Sequence, residues 1–144
     1  MALDLRKVTP LIQVYDMPAS LRFYRDGLGF EVVYTSPKLG EDKYHWVMLR
    51  LGSVELMLND AYEFDEDRPV PPDPARLAAH EDTTLYFACP DVDAAYAELR
   101  AKGIAAKAPA LMRFGMKQMD VRDPDGFLLC FQWRHAESEA AGTI

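Results

Sequence analysis

Long apolar runs are absent from the 144 residues, and no stretch approaches the roughly 20 apolar residues that a membrane-spanning helix needs. The N-terminal MALDLRKVTP also lacks the apolar centre of a secretory signal, so the cytoplasm is the expected compartment. Cysteine is scarce. Cys89 and Cys130 both fall in strand-like runs, which argues against a disulfide framework and predicts reduced, buried thiols. Basic residues are outnumbered, 16 Lys and Arg against 23 Asp and Glu, and the formal net charge of -7 disfavours nucleic acid and anionic membrane as partners. Histidine is rare too: His45, His80 and His135 are widely separated, which disfavours a convergent imidazole site. None of these shortages removes an ordinary core. At 49% hydrophobic the chain fits one compact domain.

What is present is one plan written twice. In residues 8–59, VTPLIQV (8–14) reads as a strand and Asp16 as a helix N-cap. Met17, Leu21, Tyr24 and Leu28 follow at helical spacing, and Gly29 is the stop signal. Strands are predicted at 30–35, 44–51 and 54–59, the last two joined at Gly52-Ser53. Residues 83–133 repeat the order: a strand at 83–89, the cap Asp91, a helix bearing Val92, Tyr96 and Leu99, the stop Gly103, and strands at 104–107, 116–122 and 127–133. Glu98 and Lys102 are placed to pair across one helical turn. Asp16 and Asp91 lie 75 positions apart and Gly52 and Gly126 lie 74 apart, the signature of a duplicated βαβββ unit. The class is therefore α+β, with helices on one face of each sheet.

The connector, residues 60–82, holds four prolines and a run of acidic residues, so it reads as extended chain with a helical turn at 75–79. Two roles are open to it: a solvated crossover, or a lid that uses Tyr62 and Phe64. Residues 134–144 read as a tail.

Four segments carry a family likeness. PLIQVYDMPASLRFYRDGLGFEVV, LRLGSVELML, YFACPDVDAAYAELRAKGI and DVRDPDGFLLCFQW, in this order between residues 8 and 133, resemble the glyoxalase / bleomycin-resistance / extradiol-dioxygenase superfamily, also called vicinal oxygen chelate proteins. The resemblance implies that each module curls into a cup and that two modules enclose one ligand site. In the bleomycin-resistance group it implies a homodimer, with modules of different chains completing each cup. Metal-dependent members hold a divalent cation on the first and fourth strands of each module, through histidine and carboxylate side chains.

Counted from the motifs, those four positions fall on Thr9, Glu55, Thr84 and Cys130. Only Glu55 is an ordinary ligand, and two hydroxyls, a thiol and one carboxylate make a poor donor set. No metal and no other cofactor is therefore expected. Cys130 has no base or cation beside it in the sequence pattern, so it reads as an inert core thiol rather than a nucleophile.

Strand alternation predicts the cup lining. Thr9, Leu11 and Gln13 face it from the first strand and Glu55 and Met57 from the fourth; the third contributes either Trp46, Met48 and Arg50 or Val47 and Leu49, the first set being favoured. The second module contributes Thr84 and Tyr86, then Leu128, Cys130 and Gln132, while Leu129, Phe131 and Trp133 lie behind. Phe114 is placed at the mouth. Glu55 needs an account in so apolar a setting: it meets a cationic ligand, acts as a base with a raised pKa, or pairs with Arg50 or Arg113. The expected function is stoichiometric binding of a small amphipathic or aromatic molecule, with a cationic one admitted by Glu55 and the acidic connector. The alternative is an isomerase or lyase of the same superfamily, using Glu55 as base or an unusual metal site.

Overall fold

The computed structural model describes residues 2–135, so the predicted tail lies, beyond His135, outside the described residues. The chain forms two compact units that divide between Pro72 and Asp73. The break falls inside the predicted connector, whose first part stays with unit one and whose second part joins unit two.

Unit one contains β1 (Leu11–Val14), α1 (Met17–Leu21), β2 (Glu31–Thr35), β3 (Trp46–Leu51) and β4 (Val54–Asp60). The sheet order is β1-β4-β3-β2, with β1 parallel to β4 and the other pairs antiparallel. Strand β1 starts later than the sequence suggests. Pro10 has no N–H to give to a ladder, though its carbonyl accepts from the Met57 N–H at 2.8 Å. Asp16 caps α1, its carboxylate accepting from the Ala19 N–H at 3.4 Å, and Pro18 fits the first turn. The predicted continuous helix instead widens into a π-helical turn over Arg22–Gly27. That turn buries Tyr24 completely and sets it edge-on to Phe23 and Phe30. Ile12, Val14, Val47, Leu49, Leu56 and Leu58 all lie on one face with Met17 and Leu21, which is the core of the unit.

Unit two contains α2 (Pro74–His80), β5 (Thr84–Ala88), α3 (Val92–Ala101), β6 (Ala110–Leu111), β7 (Met116–Arg122) and β8 (Leu128–Arg134), in sheet order β5-β8-β7-β6. Asp91 caps α3 through the Ala94 N–H at 3.0 Å, and Glu98 pairs with Lys102 at 3.2 Å as the spacing suggested. The strand expected at 104–107 is not formed. That stretch has one β-branched residue, Ile104, and the short β6 lies further on, paired through Ala110 and Leu111 to β7. Val92, Leu99, Met119, Val121 and Leu129 form the core under α3.

The DPDG turn is a docking point. Asp123 accepts from the N–H groups of Asp125 and Phe127, each at 2.9 Å, which closes the turn. Arg76 of α2 then donates to the buried Asp125 carboxylate at 2.8 Å, and the His80 ring stacks on Phe127 with centroids 4.0 Å apart. The expected helical turn at 75–79 is thus a full two-turn helix held by a side-chain network.

Candidate functional site

Each sheet has a core face and an open face, and the open faces gather the predicted cup residues. In unit one, β1 alternates exposed and buried, leaving Leu11 and Gln13 outward. The ladder then sets Leu11 beside Met57, Met57 beside Met48, Gln13 beside Asn59, and Asn59 beside Trp46. This is the alternative favoured from sequence, since Val47 and Leu49 are fully buried on the opposite face. Thr9 lies two residues ahead of β1, outside regular structure. Apolar and polarizable groups therefore form the centre of this face, with Glu55 and Arg50 paired beyond them.

Glu55 is balanced by two cations. Its carboxylate accepts from the Lys7 ammonium on one oxygen and from the Arg50 guanidinium at 3.3 Å on the other. The Lys7 hydrogen bond, supported by Arg50, holds its pKa below the usual carboxylate range. This corrects the expectation of a base with a raised pKa. Lys7 was missed as a partner because it lies outside the predicted strand; Arg50 was the partner foreseen.

In unit two, Thr84, Tyr86 and Ala88 of β5 pair with Leu128, Cys130 and Gln132 of β8. Asp120 lies beside Cys130 on β7, and Gln118 donates to Gln132 at 2.8 Å. Burial, with the Asp120 carboxylate adding to it, pushes the Cys130 thiol up to about 12. It is a protonated, buried group rather than a thiolate. Two cavities open on this face. One of about 320 Å³ is lined by Tyr86, Ala88, Met116, Gln132, Trp133 and Arg134. The other, about 390 Å³, has Asp120, Arg122 and Leu128 in its wall. Trp133 was expected behind the sheet. It is instead 44% exposed and shares a cavity with Tyr86, since at the end of β8 the buried core under α3 has run out. Phe114 is exposed in the turn between β6 and β7 and does not line this cavity.

The ladders also refine the count of ligand positions. Leu11 and Tyr86 each stand five residues before a helix cap, and they pair with Met57 and Cys130. Within its own unit, then, Cys130 matches Met57, and Glu55 matches Leu128. The mismatch arises because Gly52-Ser53 joins β3 to β4 whereas residues 123–127 join β7 to β8. Counting from the turn glycines hides this difference in length.

The donor set does not fit a divalent cation. Thr9 and Thr84 offer neutral hydroxyls, Glu55 is engaged by two cations and Cys130 is a protonated thiol. Among the described residues no three His, Cys, Asp or Glu side chains converge. His45 hydrogen-bonds Asp60 at 3.2 Å, and His80 packs on the DPDG turn.

The connector residues Tyr62 and Phe64 line a separate cavity of about 240 Å³ in unit one, with Tyr15, Lys43, Asp60 and Arg68. Burial raises the Asp60 pKa, a shift that His45 opposes.

Each unit thus carries one βαβββ sheet with one open face. Residues 7–131 match the model of the Glyoxalase/Bleomycin resistance protein/Dioxygenase superfamily, and the chain belongs to that family. A search of curated proteins returned no match. Among solved structures, TnmS3, an antibiotic binding protein from Streptomyces sp. CB03234, is 22% identical; the alignment covers 93% of this chain and 100% of that one, with a TM-score of 0.66. A bleomycin-binding protein complexed with bleomycin is 21% identical over 91% of this chain and 100% of its own, TM-score 0.63. A glyoxalase/bleomycin resistance protein/dioxygenase from Nocardioides is 20% identical over 94% and 88%, TM-score 0.68. At these identities the likeness establishes the fold. No described helix is long and apolar enough to cross a membrane.

Proposed function

We propose that this chain binds a small amphipathic or aromatic molecule on the open faces of its sheets, stoichiometrically and without a metal, as a cytoplasmic homodimer. The observation that carries this reading is the exposure of large apolar side chains on those faces. Leu11 is 44% exposed and Tyr86 62%, in a chain whose acidic balance otherwise favours a solvated surface. Met48 and Met57 beside Leu11 supply an adaptable surface, which suits ligands of varied shape. The antibiotic-binding and bleomycin-binding relatives support the same reading. The enzymatic alternative is weaker, because a carboxylate held ionised by Lys7 and Arg50 is a poor proton acceptor.

Calorimetric titration with 2-naphthylmethanol, a neutral aromatic probe, tests this directly. Met57→Lys and Tyr86→Ala are each expected to weaken binding by about tenfold or more, with unchanged thermal stability as the control for folding. Glu55→Gln is expected to stay within about threefold of the parent, since its charge is already answered. If both cup-face variants bind like the parent, the open faces are not the site.

A further inference from the structure

We propose that the ligand of unit two is an aromatic anion, a carboxylate or phenolate carried on one or two fused rings, held by Arg134 between Tyr86 and Trp133. This deepens the reading above and rests on it, because it names the ligand class of the same open face. Three observations point to it.

Arg134 closes β8 opposite Met116 and lines the 320 Å³ cavity together with Tyr86, Trp133 and Gln132. Like Arg22, Arg113 and Arg122, it pairs with no acidic side chain among the described residues, and of these four it alone lines the cavity with Tyr86 and Trp133. A guanidinium presents paired donors in one plane and matches a carboxylate oxygen pair. Two aromatic rings and a methionine complete the wall, and Gln132 places an amide beside them. The volume is at the small end for organic ligand sites, which suits one or two rings rather than a large glycopeptide.

On the open face of unit one the charges balance, Lys7 and Arg50 against Glu55 and Glu31. In unit two, Asp120 lies beside Cys130 and stands in the wall of the other cavity, alongside Arg122. The net charge of the whole chain is -7. Its repulsion of an anion is screened over roughly 8 Å at physiological salt, so the nearby guanidinium decides.

Three matched probes separate the possibilities: naphthalene-2-carboxylate, 2-naphthylmethanol and 2-naphthylmethylammonium, titrated by calorimetry into the full chain. The anion is expected to bind about tenfold or more tighter than the alcohol, and the ammonium weakest. Arg134→Gln should bring the anion to the affinity of the alcohol measured on the same variant, and Arg134→Lys should restore part of the difference. Equal or tighter binding of the ammonium overturns the anion assignment while the binding reading stands. An anion preference that survives Arg134→Gln overturns the role of Arg134. Failure of all three probes overturns the binding reading itself.

Discussion

Replacing Arg76 by methionine is expected to destabilise the chain by about 3 kcal/mol, the typical cost of removing one partner from a buried ion pair. The reason lies in the asymmetry of the pair. The Asp125 carboxylate is 1% exposed, and its Oδ1 receives the Arg76 guanidinium at 2.8 Å. Methionine keeps much of the arginine stem's volume, so packing of α2 changes little while a buried charge loses its cation. Urea unfolding followed by circular dichroism measures the loss. Adding Asp125→Asn to the Arg76→Met background should recover part of it, because the uncompensated charge is then gone. A loss below about 1 kcal/mol would mean that the pair behaves like a surface bridge.

Gly126→Ala carries the second large effect, expected at about 2 kcal/mol or more. Gly126 has φ +90, and a Cβ there would come within 3.0 Å of the Leu77 backbone oxygen in α2. Alanine must therefore adopt a disfavoured backbone and also push α2 away from the turn. Gly52 provides the comparison. Its φ is +60, but a Cβ would meet nothing within 4 Å, so Gly52→Ala should cost only the conformational penalty, about 1 kcal/mol. Thermal melts of the two variants side by side separate strain from the close approach. Equal losses would show that α2 does not press on the turn.

Both effects concern a contact that the sequence did not disclose, and the reason is physical. Asp16 and Asp91 could be read as caps because capping is local: the carboxylate bonds an N–H three residues on. Strands with strict alternation, such as β3 and β4, were legible for the same reason. The docking of Arg76 on Asp125 joins residues 49 positions apart, and no periodicity encodes it. In the acidic connector α2 was legible only as a helical turn at 75–79, because proline there was read as a breaker although Pro74 sits in the first helical turn, where it is tolerated.

The candidate site divides similarly. Leu11, Gln13, Trp46, Met48, Met57, Tyr86 and Gln132 could be placed by alternation once the resemblance had supplied the register, and they lie on the open faces. Lys7 could not, since it precedes the first strand. Arg134 was assigned to the tail, and Trp133 to the core face, because alternation says nothing about where a strand outruns its helix. The equivalence of Glu55 with Cys130 failed through one turn being longer than the other, a difference that only a ladder reveals.

Ligand binding without a metal can be tested by one titration. Protein is stripped exhaustively with chelator, and 2-naphthylmethanol is titrated in before and after addition of Zn(II), Mn(II) or Ni(II), with metal content measured in each sample. The expected result is one affinity, the same within about twofold in every sample, and no stoichiometric divalent ion retained. Binding that appears only in a metal-loaded sample, with one ion held per site, would contradict it.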